Sequence, residues 1–308
     1  MAKKNLRTTK IKQTCRTNRQ HTGTPLRFAQ AHNGGVSLLI TDKIMIKIAI
    51  IGCGNMGGAI ARTLADSDDY GKKYSLTAAN RTDGKLRKLY EEFPGMAITT
   101  DNKTAVAEAG LIILAVKPWL FDDVAAEILP ALRKDCIVVS VIAGVTLDRM
   151  QQTFATDGNT RPIFRLIPNT ALTVGESITV IAHRHASEEI VDCVVSLFAK
   201  AGETMLIEER LMEAATALGS CGTAFAMRYM RAAMEAGIEM GLYPAQARKI
   251  AAQTVKGAAE LLLCGSLHPE EEIDKVTTPG GITIKGLNGM EACGFTNAVI
   301  EGHKACKQ

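Results

Sequence analysis

No stretch of this sequence stays apolar for anything near the ~18–20 residues that a bilayer-crossing helix needs. Among the longest greasy runs, Leu111-Ile112-Ile113-Leu114-Ala115-Val116 has only the length of a buried strand. The reading is a soluble protein with no membrane partner. A secretory signal is missing too, because residues 1–44 contain no apolar core segment. Paired cysteines are absent. Cys15, Cys53, Cys136, Cys193, Cys221, Cys264, Cys293 and Cys306 are scattered without a CxxC spacing, which reads as free thiols in a reducing, cytoplasmic compartment. His183 and His185 form an HxH with no acid or thiol at ligand spacing beside it. Two surface imidazoles at a strand end are expected there, and no metal.

The net charge of +4 conceals a lack of basic charge in the body of the chain. Residues 1–44 hold nine of the 36 Lys and Arg and one of the 32 Asp and Glu. The remainder carries 27 basic and 31 acidic residues, a net of −4. A mildly acidic body gives no electrostatic footprint for nucleic acid or an anionic surface, so neither is expected as a partner. The first 44 residues show neither helical nor strand periodicity. These residues are basic and nearly free of acid, as a transit peptide is, but they have one serine, Ser37, and little amphipathic patterning. They read as an unstructured basic extension, with Met45 opening the functional part. A chain beginning at Met45 is therefore expected to keep its melting temperature and kcat/KM. A large drop in either would overturn that reading.

What is present is ordinary globular material: 308 residues, 46% hydrophobic and 22% charged, enough for two domains. From residue 45, short β-rich runs at 46–51, 75–79, 96–99, 111–116, 136–141 and 163–167 alternate with helix-like stretches. Runs at 177–182 and 203–207, around a helix at 187–200, extend the series. Strands alternating with helices predict a doubly wound, mostly parallel α/β sheet covered on both faces. After about residue 209 the strands stop. Segments 211–218, 223–240, 244–263 and 284–305 read as helices, with breaks at Gly219/Gly222, Gly241 and 278–281. The predicted domains are thus 1–44, the extension; 45–209, a dinucleotide-binding domain; and 210–308, a helical domain for dimerisation and substrate.

Gly52-Cys53-Gly54-Asn55-Met56-Gly57 joins the first strand to the first helix. Gly52 allows the tight turn, Gly54 lets a pyrophosphate approach the backbone, and Gly57 lets helix pack on strand. The amides at the helix start, with Asn55 and Met56, then face the phosphates. This is the Rossmann-type fingerprint in its proper strand–turn–helix setting. An NAD site places an acid at the end of the second strand, but here stand Ala79-Asn80-Arg81-Thr82. Arg81, flanked by the amide of Asn80 and the hydroxyl of Thr82, suits a 2′-phosphate through charge-assisted bonds. NADP(H) is the expected cofactor, with NAD(H) second.

Thr278-Pro279-Gly280-Gly281-Ile282-Thr283 lies between two helices. By itself it is a helix-connecting turn; its glycines and hydroxyls also suit a nest for a small carboxylate. It does not stand alone. The glycine motif, Ala115-Val116-Lys117-Pro118, Ser140-Val141-Ile142-Ala143-Gly144-Val145, Ile167-Pro168-Asn169-Thr170, Glu235-Ala236-Gly237 with Gln253-Thr254, and 278–283 follow in that order. Together they resemble pyrroline-5-carboxylate reductase over essentially 45–308. The resemblance implies hydride transfer from NAD(P)H to the C=N carbon of a cyclic imino acid, giving L-proline. It implies cofactor contacts at Asn80, Arg81, Thr82 and Asn102, and a wall of Ala115, Val116, Lys117 and Pro118 toward the nicotinamide. Thr278, Gly280, Gly281 and Thr283 would hold the substrate carboxylate, and Thr216 would sit near the imine nitrogen.

The resemblance further implies a homodimer, or a larger ring of dimers, with an active site shared between subunits. Two departures stand out. The family's Ser-Gly-x-Gly-Pro-Ala stretch is here Gly219-Ser220-Cys221-Gly222-Thr223-Ala224, which alters the substrate wall. Trp119 follows Lys117-Pro118 where a polar or smaller ring residue is usual. The missing chemistry fits as well. There is no His–carboxylate pair of the kind a 2-hydroxy acid dehydrogenase needs, and an imine needs little beyond alignment once protonated. Two other readings remain at this stage: a reductase of another cyclic imino acid, and a non-catalytic NADP-binding sensor of the same fold.

Overall fold

A computed structural model describes residues 45–307. The extension 1–44, Cys15 and the proposed start at Met45 therefore concern residues outside, or at the edge of, this range. The described residues form two compact units, Phe225–Glu301 and a larger one that reaches to Ala224 and takes up the tail from Gly302.

The larger unit is built on one eight-stranded sheet. Its strands are β1 (Ile46–Ile51), β2 (Tyr74–Ala79), β3 (Ala97–Thr99), β4 (Leu111–Leu114), β5 (Ile137–Ser140), β6 (Ile163–Ile167), β7 (Ser177–Arg184) and β8 (Gly202–Leu206). Their spatial order is β3-β2-β1-β4-β5-β6-β7-β8. Every neighbouring pair is parallel except β6–β7, which is antiparallel. All eight runs read from the sequence are strands.

The reason is visible in β1. Ile48 and Ile50 point into one core, beneath helices α1 (Asn55–Ala65), α2 (Asp83–Glu92) and α6 (Glu188–Ala199), among Ile60, Leu64, Leu86, Leu89 and Leu197. Ala49 and Ile51 point into the other core. That core is closed by α3 (Asn102–Val106), α4 (Phe121–Ile128) and α5 (Leu147–Phe154), with Phe121, Ile128, Met150 and Phe154. A strand buried on both faces is a continuous apolar run, and each large side chain so buried contributes roughly 1.5–3 kcal/mol. His183 and His185 lie exposed at the end of β7, as expected. Cys53, Cys136, Cys193, Cys221, Cys293 and Cys306 are free thiols. Cys264 departs from the expectation and is disulfide-bonded.

Beyond β8 the chain is helical, but not with the expected breaks. Helix α7 (Met212–Ala215) runs through a π-helical segment, Thr216–Cys221, directly into α8 (Gly222–Glu239). Gly219 and Gly222 do not interrupt it; a π turn absorbs the irregularity within the helix. Helix α9 (Pro244–Cys264) starts at a proline as expected, after Gly241 at φ +99°. A short helix, α10 (Pro269–Asp274), was not anticipated, although proline followed by three acids in its first turn is a helix-start signature. The stretch read as one helix at 284–305 is two, α11 (Ile282–Ala292) and α12 (Phe295–Lys304). Gly294, at φ +75°, parts them.

Within Phe225–Glu301 only Gly237 and Ala247 are buried. Met227, Met240, Tyr243, Leu263 and Ile282 stand among many exposed apolar residues. So much uncovered apolar surface is the mark of an interaction face.

Candidate functional site

The order of the strands reverses between β1 and β4, and ligands of such sheets bind at the carboxyl edge beside that point. The glycine turn sits there. Gly52 has φ +95°, and a Cβ on it would lie 2.9 Å from the carbonyl carbon and oxygen of Ala115. Gly57 is tighter still: its Cβ would lie 2.1 Å from the Gly52 carbonyl oxygen and 2.9 Å from the Ala115 Cβ. Neither position admits a side chain. Gly54 is different, since a Cβ there would meet nothing within 4 Å.

The two outer glycines are thus required by the protein's own packing, whereas Gly54 borders open space. It is also the N-cap of α1, which has no side-chain cap and no acid in its first turn. The open amides and positive end of the helix can receive a pyrophosphate, and the space over Gly54 lets it approach the backbone. The turn therefore fits a dinucleotide. Cys53 is not reactive chemistry in this turn, because burial pushes its thiol up to about 12.

At the end of β2, the Asn80 side-chain amide donates to the Thr82 carbonyl at 3.0 Å and to its hydroxyl at 3.3 Å, fixing the loop. Arg81 between them is exposed and forms no ion pair among the described residues. Asn102, the first residue of α3, donates to Glu127 at 2.9 Å. Ala115 packs against the glycine turn, and Val116 beside it is half-buried. Lys117 is exposed, as are Pro118 and, at 75%, Trp119 in the short 3-10 turn that follows. The structure thus brings Gly52–Gly57 and Ala115–Val116 together, with Asn80–Thr82 at the end of the adjoining strand.

Thr216 opens the π segment. Its hydroxyl donates to the Met212 carbonyl at 2.6 Å, so the oxygen's lone pairs are left to accept. The segment is held by a residue that sequence reasoning did not single out as part of a site. Asn169, buried just past β6, donates from its side-chain amide to the Gly219 carbonyl at 3.0 Å. Its side-chain oxygen accepts from Ala171 N–H at 3.0 Å. A Pro-Asn pair closing a buried strand was the signal available, but its partner fifty positions onward was not. Glu127, which orients Asn102, was missed for the same reason.

Segment 278–283 forms a tight turn followed by a helix start. The Gly281 amide donates to the Thr278 carbonyl at 2.9 Å, with proline second and Gly280 third at φ +69°, the requirements of a type II turn. A Cβ on Gly281 would lie 2.6 Å from the Thr278 hydroxyl. Gly281 caps α11 without a side-chain bond. Since its own amide is used by the turn, the donors open to an anion are those of the first turn of α11, which contains Thr283.

These features have counterparts in known proteins. The family model described as pyrroline-5-carboxylate reductase dimerisation matches residues 209–308, and that described as NADP oxidoreductase coenzyme F420-dependent matches 47–144. Pyrroline-5-carboxylate reductase 2 of Dictyostelium discoideum is 40% identical over 268 residues, covering 83% of this chain and 89% of its own. The chain belongs to the pyrroline-5-carboxylate reductase family. The Escherichia coli K12 member is 34% identical over 265 residues, covering 85% of this chain and 96% of its own. Among solved structures, the Coxiella burnetii pyrroline-5-carboxylate reductase superposes with a TM-score of 0.75 at 26% identity, over 84% of this chain and 95% of that one. The Plasmodium falciparum pyrroline carboxylate reductase with NADP bound shares the fold, with a TM-score of 0.74 at 24% identity over 85% and 95%. Membership accounts for the uncovered helical faces, since they lie in the region that the dimerisation model matches. Among the described residues no helix is long and apolar enough to cross a membrane.

Proposed function

We infer that this chain is an NADPH-preferring pyrroline-5-carboxylate reductase, reducing the C=N bond of 1-pyrroline-5-carboxylate to L-proline. The observation that carries this is 40% identity to a relative of that name over 83% of the chain. When bound, the reduced nicotinamide supplies the hydride. The chain's residues bind, orient and hold a proton. Gly52, Gly54, Asn55, Met56 and Gly57 receive the pyrophosphate. Asn80, Arg81 and Thr82 hold the adenosine phosphate, Asn102 meets its ribose, and Ala115, Val116, Lys117 and Pro118 line the path to the nicotinamide. Thr278 and Thr283, with the helix start that Gly280 and Gly281 shape, hold the carboxylate of the imino acid.

Thr216, its hydroxyl proton already donated to Met212, accepts a hydrogen bond from the protonated imine nitrogen. An iminium is a donor, so an acceptor with its own hydrogen turned away is the appropriate partner. Alignment of two bound molecules can supply ~7–11 kcal/mol, which is why no strong acid or base is required. The test is NADPH consumption with 1-pyrroline-5-carboxylate and with its six-membered homologue. Preferential turnover of the five-membered ring to L-proline is expected; no turnover would overturn the proposal.

Two further outcomes follow. Arg81 is exposed at the end of β2 with no acid beside it to favour a free 2′-hydroxyl. Arg81→Ala should weaken NADPH by about tenfold and spare NADH, the pattern of one lost charge-assisted contact. Equal losses for both would make Arg81 structural. In solution, we propose a homodimer or a ring of dimers, cytoplasmic in location, with residues 210–308 as the dimerisation and substrate domain. Light scattering coupled to size exclusion should show no monomer at assay concentration, and an active monomer would refute the assembly.

A further inference from the structure

Gly219-Ser220-Cys221-Gly222-Thr223-Ala224, where the sequence departs from its family, carries a thiol that the proposed reaction does not use. Cys221 closes the six-residue π segment that Thr216 opens. The tail from Gly302 onward belongs to the same compact unit as this segment. Two contacts seat it there. The Cys306 thiol hydrogen-bonds the Cys221 side chain, and a Cβ on Gly222 would lie 3.8 Å from His303 Nε2. Cys306 also donates to the Gly302 carbonyl one helical turn back, at 3.6 Å. Both thiols are half-buried free cysteines. Cys53 and Cys136 differ: they are fully buried, and burial pushes each up to about 12.

We propose that Cys221 and Cys306 are a redox-modification site, closing reversibly into an intramolecular disulfide that slows the enzyme. Two sulfurs already in hydrogen-bond contact need only close to the ~2.05 Å of an S–S bond. The oxidant is a small-molecule disulfide. Cys221 loses its proton and attacks one of the oxidant's sulfurs; that S–S bond breaks and one small thiol leaves, taking up the proton. Cys306 then loses its proton and attacks the Cys221 sulfur, releasing the second small thiol. The two protein thiols give up two electrons and two protons, and the small disulfide takes them up. Disulfides of reducing compartments are characteristically transient and redox-sensing, which suits a pair that is reduced at rest.

The effect on rate rests on the function proposed above. Drawing Cys221 toward the tail pulls on the segment that carries Thr216 and that Asn169 anchors at Gly219. A shift near 1 Å in such a segment can cost about a hundredfold in kcat/KM, and the smaller shift that closing the sulfurs imposes about tenfold. The glycine turn lies elsewhere in the sequence and packs on β1 and β4, so NADPH affinity should hold.

The experiment treats the full chain with oxidised glutathione and maps its peptides without reduction. A linked Cys221–Cys306 peptide is expected, with kcat/KM for the imino acid about tenfold lower and restored by a reducing agent. Cys306→Ser should be as active as the reduced enzyme and resist the loss. If both cysteines stay free, or carry only glutathione, the pairing is refuted. If the linked peptide forms and the rate does not change, the regulation is refuted. Should the reduced enzyme fail to turn over the imino acid at all, the function is at fault, while the peptide map still decides the pairing.

Discussion

Gly57→Ala should abolish useful cofactor binding and destabilise the sheet domain, whereas Gly54→Ala should damage binding alone. The contrast comes from what each new methyl would meet. At Gly57 it would lie 2.1 Å from the Gly52 carbonyl oxygen, inside any van der Waals contact. The clash is with backbone and with Ala115 in a short, pinned loop, so helix α1 must move away from β1. Overpacking of this kind costs about 1–3 kcal/mol, and displacing the amides proposed to bind phosphate loses bonds worth ~1.5–3 kcal/mol each, so NADPH should weaken at least about a hundredfold.

At Gly54 the methyl meets nothing within 4 Å, so the folded protein is not strained. Alanine is a poorer N-cap than glycine but also stiffens the unfolded chain. These opposing effects are each about 1 kcal/mol or less. The melting temperature without cofactor should therefore stay near wild type while NADPH affinity falls, because the methyl occupies the space a pyrophosphate needs. Thermal melts and NADPH titrations of both variants separate the two roles; the single tryptophan, Trp119, provides the fluorescence signal. If Gly54→Ala binds NADPH as wild type does, the turn is packing geometry and no phosphate site.

The same distinction explains how much could be read without coordinates. The sheet was legible because parallel strands buried on both faces are forced to be continuous apolar runs, as in Leu111–Leu114. The glycine turn was legible because Gly52 and Gly57 answer steric demands of the turn and the strand beside it. The helical half was less so. Glycine at 219 and 222 read as a break, yet the chain passes through them as a π segment held by Asn169, a contact between residues 50 positions apart. Gly294, by contrast, does end a helix, because nothing distant restrains it from taking φ +75°. A residue's propensity was the same in both places; the tertiary partner decided. The direction of the Thr216 hydroxyl was equally hidden, since only the folded helix offers it the Met212 carbonyl.

That direction separates the two threonines by expected phenotype. Thr283 sits in the first turn of α11, beside amides that no side chain caps, and is exposed. As a donor to a carboxylate its hydroxyl is worth ~1.5–3 kcal/mol, so Thr283→Ala should raise the imino-acid KM roughly ten- to hundredfold. Alanine is a good helix former, so the fold should survive and the NADPH KM should barely move. Thr216→Val is nearly isosteric but removes the acceptor proposed for the imine N–H. If that bond strengthens as charge changes at nitrogen, kcat should fall more than KM rises. Thr216→Ser, which keeps the hydroxyl and its bond to Met212, should recover most of the rate; a purely packing role would not be rescued this way. Steady-state kinetics with each substrate varied in turn distinguish the variants. An unchanged imino-acid KM in Thr283→Ala, or a rise in the NADPH KM alone, would show that the carboxylate is held somewhere other than 278–283.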